Sequence, residues 1–413
     1  MDLLQKDFKF IDLFSGLGGF HFAMKKISEN SECVFASEIN ENAIKLYKLN
    51  HAVNSENDIK KISFQDIPNF DVLCAGFPCQ PFSKAGLQNG FADPRGTLFF
   101  EIIKILRNKI ENNQKPKLLV LENVRNLKTH DKGNTWNVIK KSLRALGYNT
   151  IDEPLIVSPV DFGIPQLRER TIILAIDDQI YSKKLEFNLK KNHKDFPSID
   201  SILDHSLKTE GSGYEISKYE LSVLEAWDYF IKHVDLKTIG FPIWSDEFNK
   251  NYDISDLPEW KQQFITKNRD LYKRNKKMID YWREQYKVDN FVKTHRKFEW
   301  QAGKNIESVF QGIIQFRTSG VRVKKPTQSP ALVAMVHTPI VGKFKRYITP
   351  EEALKLQSFP DDFNYKEVGK DIYRLLGNAV NVEVIYNVTK QFLSYINNNN
   401  LKEINNENSK REY

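Results

Sequence analysis

The residue that could do covalent chemistry is Cys79, in the run Ala-Gly-Phe-Pro-Cys-Gln-Pro-Phe-Ser at positions 75–83. Residues 70–75 are typical of a buried strand, and the glycine, aromatic residue and proline that follow force a turn. Cys79 therefore comes just past the carboxyl end of a strand, which is where open α/β sheets hold their chemistry. Cys33 and Cys74 lie inside apolar strand patterns, so they are expected to be small buried residues. The turn makes Cys79 a candidate nucleophile, with the polar segment 84–95 forming a loop able to close over it, while a small buried side chain stays open as the alternative from this motif alone.

The elements before that turn are typical of a unit that binds a nucleotide. Residues 8–13 predict a strand, the glycine-rich run 14–19 follows, and a helix is expected from residue 20 to about 27. Glycines let a ligand approach the backbone closely, and the helix N-terminus faces it. Glu38 ends the next predicted strand, about 20 residues after the glycine turn, where an acid suits ribose hydroxyls. A surface role for Glu38 stays open, and Asp58 either accepts a bond from an adenine amino group or ends a turn.

The larger pattern alternates strands with helices as far as residue 176, which predicts a doubly wound α/β sheet. Residues 178 to about 300 are polar and irregular, so we expect a separate module without recognisable sheet order. Thr349 and Pro350 suit the N-cap and first position of a helix. A long final helix is expected over 373–392, and the charged, asparagine-rich tail is expected to be disordered.

Composition limits the class of protein. A chain of 413 residues should hold one large domain and one smaller one. Its three cysteines form no CxxC pair, so we expect no disulfide framework and no metal site. No apolar run approaches the roughly 20 residues that span a bilayer, and the N-terminus lacks a signal-peptide pattern, so a cytosolic protein without membrane contact is expected.

The positive charge is concentrated in the second half of the chain. Residues 260–299 carry twelve Lys or Arg against five acids, and residues 308–350 carry seven against none. Two such blocks, interleaved with aromatic residues, favour contact with a phosphate backbone over ordinary solvated surface.

Taken together, these motifs resemble the DNA cytosine-5 methyltransferases, especially those of the bacterial restriction-modification type. The matching segments are, in chain order, 12–19, 76–83, 122–124, 166–170, 346–353 and 377–380. The resemblance implies a class I S-adenosylmethionine-dependent methyltransferase fold, a Rossmann-like doubly wound sheet, with a smaller, mixed target-recognition domain. The catalytic domain would be 1–177 completed by 365–395, the recognition domain 178–364, and the disordered tail 396–413.

The resemblance also assigns the chemistry. Cys79 would attack carbon 6 of cytosine, which makes carbon 5 nucleophilic, although only a few per cent of an ordinary thiol is thiolate at neutral pH. Glu122 would contact ring nitrogen 3 and the amino group in a protonated form, which burial would favour by raising its pKa. Arg170 would donate to the ring oxygen and Arg168 would support the site. By themselves, residues 168–170 would be interpreted as a surface charge cluster.

The implied methyl donor is S-adenosylmethionine, leaving S-adenosylhomocysteine. Phe14 would pack on the adenine, Glu38 would take the ribose hydroxyls, and Asp58 with Ile59 would contact the adenine. The amino-acid part of the donor would approach the glycine turn, and three further residues would complete the pocket. These residues are Gly16, Leu17, Gly18 and Gly19 in the turn, then Gly76, Leu98 and Asn378. Ile39 stands where many relatives carry an aromatic residue, so stacking on the adenine should be weaker here.

The implied partner is double-stranded DNA, bound by a monomer at the bacterial nucleoid, with a restriction endonuclease as a functional counterpart. The target cytosine would swing out of the helix at a cost of a few kcal/mol. Gln80 and Ser83 would contact DNA from the closing loop. Arg317 and Arg322 are candidates for reading guanine, since arginine pairs well with guanine edges, although packing or phosphate contact stays open for both.

Three other functions compete with this one. An RNA cytosine-5 methyltransferase shares the fold, but the long recognition module favours DNA. A non-catalytic DNA-binding protein would not need Cys79, Glu122 and Arg170 together. A nicotinamide dehydrogenase should carry a tighter glycine fingerprint.

Overall fold

The computed structural model describes residues 7–78, 98–191, 198–234, 240–334 and 337–411, with side chains as far as residue 400. It divides into two compact units, unit 1 (Met1–Phe196 with Leu354–Tyr413) and unit 2 (Pro197–Ala353). These limits differ from the expected boundaries at 178 and 364. The reason is that residues after 177 pack on unit 1: the rings of Phe187 and Phe392 lie 5.3 Å apart, and the hydroxyl of Tyr181 bonds that of Tyr395.

Unit 1 is built on a mixed seven-stranded sheet, as far as the described residues show. The strands of this part of the chain are β1 (Lys9–Leu13), β2 (Glu32–Ser37), β3 (Val72–Gly76), β4 (Leu118–Val124), β5 (Tyr148–Thr150), β6 (Leu155–Val157), β7 (Gln166–Leu167) and β8 (Arg170–Asp177). The strands of the sheet run in the order β2-β1-β3-β4-β8-β5, with β6 also paired to β8. The first four are parallel, while β8 is antiparallel to β4, β5 and β6.

The helices between these strands are α1 (Gly19–Ile27), α2 (Glu41–His51), α3 (Leu98–Glu111) and α4 (Asn134–Ala145). Strand β3 is buried along Val72 to Ala75, as expected of a parallel strand covered on both faces. Helix α3 turns Ile102, Ile105 and Leu106 toward the core, with Leu98 partly buried beside them. The predicted doubly wound α/β sheet is confirmed. The run Glu-Asn-Val at 122–124 forms the end of β4.

Unit 2 contradicts the expectation that residues 178–300 lack order. Its helices are α5 (Lys218–His233), α6 (Glu259–Arg274) and α7 (Lys276–Gln285), and its strands are β9 (Ile243–Trp244), β10 (Lys297–Gln301), β11 (Ile313–Arg317), β12 (Gly320–Lys324), β13 (Ser329–Pro330), β14 (Ile340–Val341) and β15 (Arg346–Tyr347). Six of the described strands form one sheet in the order β15-β14-β11-β12-β10-β9. Its core is aromatic: Trp227 stacks on Phe298 at 4.7 Å and meets Trp282 at 5.0 Å between ring centroids.

The chain then enters α8 (Pro350–Leu356), whose start was predicted correctly. Thr349 Oγ1 accepts from the Glu352 amide at 3.2 Å, and the Glu352 carboxylate accepts from the Thr349 amide at 2.8 Å. This reciprocal pair is a capping box.

The predicted single final helix is wrong. The structure has two helices, α9 (Ile372–Asn378) and α10 (Val382–Arg411), separated by an extended Ala379. Helix α10 also runs through the tail expected to be disordered from 396, and Ile396 is buried in it. Burial of that apolar side chain favours helix where the polar composition alone favoured disorder.

Candidate active site

The predicted site residues of unit 1 meet at the carboxyl edge of the parallel strands. Phe14 follows β1, Glu38 follows β2, Phe77 and Pro78 follow β3, and Glu122 lies near the end of β4. All of them line one cavity of about 530 Å³. Its volume lies in the range of sites for small molecules and cofactors, and its position is the one expected for open α/β sheets.

The Glu38 carboxylate fixes the backbone at one end of this cavity. One carboxylate oxygen accepts from the Gly16 amide at 2.9 Å, and the other accepts from the amides of Ile39 and Asn40, both at 2.8 Å. A carboxylate offers about four acceptor positions, so capacity remains for a ligand hydroxyl. Glu38 therefore both fixes the glycine turn and lines the cavity.

The backbone of the turn is shaped to leave space. Gly16 has φ +53°, and a side-chain carbon built on it would meet no atom within 4 Å. Phe14 also holds a positive φ of 57°, an uncommon conformation for a residue with a side chain, and its amide donates to Ser37 Oγ at 3.3 Å. Backbone strain of this kind is found at ligand sites.

The other three residues of the glycine turn pack inside the protein. Leu17, Gly18 and Gly19 are buried and do not line the cavity. A Cβ on Gly18 would lie 2.1 Å from His51 Nε2, and one on Gly19 would lie 2.3 Å from the Val380 carbonyl oxygen. These two glycines permit close packing of the protein on itself.

Further residues predicted to hold a cofactor line the same cavity. They are Ile39, Asp58, Ile59, Gly76, Leu98 and Asn378. Asp58 also accepts from the Lys60 amide at 3.0 Å, so it shapes its own turn. Ile39 has 73% of its surface exposed, an unusual state for a large apolar side chain beside a cavity.

The opposite end of the cavity holds a buried carboxyl group with an arginine. Arg170 Nε lies 3.0 Å from Glu122 Oε1. Burial raises the pKa of Glu122 above its ordinary value, while Arg170 and Arg168 act to lower it. Because the effect of burial is the larger, the carboxyl group is set to hold a proton at higher pH than an ordinary glutamate.

Arg168 joins this end of the cavity to the break between α9 and α10. Its side chain is buried, and Nη2 donates to the carbonyl oxygens of Gly377 at 3.0 Å and Ala379 at 2.8 Å. These contacts hold Asn378, which lies between the two carbonyls in the chain, against the cavity.

Asn123 is a residue whose role the sequence analysis missed. Its Nδ2 donates to the Phe77 carbonyl at 3.1 Å, and its Oδ1 accepts from the Val124 amide at 2.8 Å. It therefore fixes the turn that leads to position 79. The sequence signal was its place next to Glu122, which drew attention only to the acid.

Cys79, Gln80 and Ser83 lie outside the described residues. The described segment that precedes them, 7–78, ends at Pro78, which lines the cavity. Arg317 and Arg322 belong to unit 2, where both lie close to Glu299: the nearest nitrogen of Arg322 is 2.6 Å from that carboxylate and that of Arg317 is 3.7 Å away.

The described residues contain neither a metal-binding cluster nor a membrane-spanning helix. No group of three or more His, Cys, Asp or Glu side chains is arranged to hold a metal ion among them. None of the helices in the described ranges combines the length and the apolar character needed to cross a membrane.

Comparison with known proteins gives a consistent result. The model of the family described as C-5 cytosine-specific DNA methylase matches residues 8–394. Type II methyltransferase M.AluI of Cellulosimicrobium cellulans is 30% identical over 95% of this chain and 93% of its own length. Type II methyltransferase M.NlaIV of Neisseria lactamica is 34% identical over 94% and 99%.

Solved structures share the fold at lower identity. The methyltransferase EhMeth of Entamoeba histolytica superposes with a TM-score of 0.58 at 18% identity, covering 95% of this chain and 99% of that one. The S. pombe Dnmt2 methyltransferase gives 0.53 at 20% identity, covering 94% and 99%.

Proposed function

Because this chain belongs to the family of C-5 cytosine-specific DNA methylases, and so is a DNA cytosine-5-methyltransferase, we propose how it acts. The target is a cytosine flipped out of one short duplex sequence, and the methyl group goes to carbon 5 through a covalent adduct with Cys79. The observation that carries this proposal is the buried Glu122 with its raised pKa, 3.0 Å from Arg170, in the cavity that Pro78 also lines.

The residues of the cavity fit S-adenosylmethionine as the methyl donor. Gly16 leaves open space beside the turn, Glu38 keeps acceptor capacity, and Ile39 exposes an apolar surface that an adenine ring would cover. When bound, S-adenosylmethionine supplies an electrophilic methyl group on a positively charged sulfur. Phe14, Glu38, Ile39, Asp58 and Asn378 would hold it.

The residues at the other end would activate the cytosine. The Cys79 thiolate forms a bond to carbon 6, and the ring electrons move to nitrogen 3, which takes the proton of Glu122. Arg170 then faces the carboxylate that remains and the ring oxygen. Carbon 5 is now an enamine carbon and can accept a methyl group.

Release of the methylated base breaks the bond to Cys79. A base removes the proton from carbon 5, the C5–C6 double bond forms again, and the electron pair of the S–C6 bond leaves with the Cys79 sulfur. The proton on nitrogen 3 returns to Glu122. Acid catalysis of this kind contributes roughly 10²- to 10⁴-fold in rate.

The two units would have different roles. Unit 1 would bind the donor and carry the chemistry, and unit 2 would recognise the target sequence. We infer that the protein acts as a monomer on duplex DNA in the bacterial cytoplasm and protects that sequence from a restriction endonuclease.

Bisulfite sequencing of DNA from cells expressing the protein tests the proposal. Wild type should modify cytosine within one short motif, and Cys79→Ser should modify none. Cys33→Ser is the matched control, because that thiol is remote from the cavity lining, and it should keep the motif. Methylation that persists in Cys79→Ser, or appears on tRNA and not on duplex DNA, would contradict the proposal.

A further inference from the structure

One face of the unit 2 sheet is polar. Alternation along the strands sends Phe298, Val321 and Val323 into the core, where all three are fully buried. The opposite face carries amide and charged side chains on three adjacent strands, β10, β12 and β11. They are Lys297, Glu299 and Gln301 on β10, Arg322 and Lys324 on β12, and Gln315 and Arg317 on β11.

Glu299 and Arg322 stand opposite each other in the register and form a fixed pair. Arg322 Nε donates to Glu299 Oε2 at 2.7 Å, and Nη2 lies 2.6 Å from the same oxygen. These contacts use one side of the guanidinium group. Its Nη1 group has no hydrogen-bond partner among the residues the structure describes, and about a fifth of the side chain is exposed (22%).

More positive charge surrounds this pair than Glu299 neutralises. Arg317 Nη1 lies 3.7 Å from the Glu299 carboxylate, and Lys324 is two residues from Arg322 on the same face. Burial, with help from the neighbouring arginines, lowers the pKa of both Arg317 and Lys324. With Lys297 on β10, four cations and one carboxylate leave this face a net charge of about +3, which an acceptor-rich ligand would compensate.

We propose that Arg322 reads a guanine in the target duplex and that Glu299 is the positioning residue that aims it. This inference rests on the proposed function of unit 2. A guanidinium held along its Nε side presents Nη1 and Nη2 as a planar fork, which matches the O6 and N7 acceptors of guanine in the major groove.

The same geometry argues against a phosphate as the ligand of Arg322. Glu299 would repel a phosphate brought to the shared arginine, whereas the edge of a base carries no net charge. Glu299 also restricts the rotamers of Arg322, so little side-chain entropy is lost when the base binds. Lys324, at the border of the cluster, is the residue better suited to a phosphate.

Selection of bound duplexes from a randomised DNA library, with the full chain and S-adenosylhomocysteine, tests the inference. Wild type should select a motif with guanine at a defined position. Arg322→Lys should relax that position by roughly 5- to 150-fold, because a point charge cannot replace the bidentate fork. Glu299→Gln should relax the same position and leave the others selective.

The controls separate this role from a structural one. Arg283→Lys alters another arginine–carboxylate pair of unit 2, Arg283 with Asp289 at 2.6 Å, and should leave the motif unchanged. A motif without guanine in wild type, an unchanged motif in both test variants, or an equal loss of affinity at every sequence would overturn the inference. Methylation of the selected duplexes by wild type is measured separately, so that failure of the proposed function shows as binding without methylation.

Discussion

At the scale of single residues, the proposed chemistry depends on the proton of Glu122. Burial raises the pKa of this carboxyl group and the two arginines oppose that effect. If the protonated form acts, its fraction falls as pH rises through the raised pKa. The thiolate fraction of Cys79 rises with pH, and the product of the two fractions gives a bell-shaped rate profile.

Arg170→Gln tests this account of the pH profile. Removal of the cation nearest to Glu122 should raise the pKa of the carboxyl group further, so the limb of the profile that follows Glu122 should move to higher pH while the maximal rate falls. The measurement is the methylation rate against pH, with Arg125→Gln, which breaks an exposed pair with Glu169, as control. Both limbs at the same pH in all three proteins would contradict the assignment.

Ile39 offers a second test at this scale, since its side chain lies 73% exposed beside the cavity. Ile39→Trp should tighten S-adenosylmethionine binding by about 2- to 10-fold, because a stacked aromatic pair contributes roughly 0.5–1.5 kcal/mol beyond burial. Calorimetric titration measures it. Leu49→Trp, at an exposed apolar residue on α2 that does not line the cavity, should change nothing; equal gains in both would point to nonspecific apolar contact.

At the scale of elements, the glycine turn leaves space beside the cavity at Gly16 and allows close packing at Gly18 and Gly19. The sequence alone does not distinguish these two roles. Gly18→Ala places a methyl group 2.1 Å from His51 Nε2 at φ +81°, whereas Gly163→Ala meets nothing within 4 Å at φ +86°. Both variants should lose about 1–2 kcal/mol to the left-handed backbone. Gly18→Ala should lose about 1–3 kcal/mol more through overpacking. Denaturant unfolding measures both, and equal losses would rule out the packing role.

The break between α9 and α10 is held by hydrogen bonds from the Arg168 side chain. Arg168→Lys cannot keep both bonds to the Gly377 and Ala379 carbonyls. It should cost about 1–3 kcal/mol of stability and weaken S-adenosylmethionine binding through Asn378. Thermal unfolding and titration measure the two effects. Arg125→Lys, at an exposed side chain, should change stability by less than about 0.5 kcal/mol; a loss as large there would contradict the argument.

The sequence predicted the elements of unit 1 well because their signals are local. A parallel strand such as β3 appears as a continuous apolar run, and α3 shows its buried face in its spacing. It missed the break at Ala379, which depends on the distant Arg168.

At the scale of the whole molecule, unit 2 is where prediction failed. Its sheet includes strands of only two residues, and β10 pairs in parallel with β12, so register comes from distant partners. The start of helix α5 could have been predicted, since Ser217 and Glu220 form a capping box whose spacing is visible in the sequence. The candidates for base reading, Arg317 and Arg322, both lie close to Glu299, which the sequence could not indicate because Glu299 is on another strand.

The proposed function gives target recognition to unit 2 and chemistry to unit 1, and the most direct test traps the reaction on duplex DNA. Fluorine at carbon 5 of the target cytosine cannot leave as the proton does, so the adduct should persist in the presence of S-adenosylmethionine. Mass spectrometry of the digested complex should find the modified base on the peptide that contains Cys79, and Cys79→Ser should form no adduct. A stable adduct on another residue, or none with a duplex that wild type methylates when unfluorinated, would contradict the account.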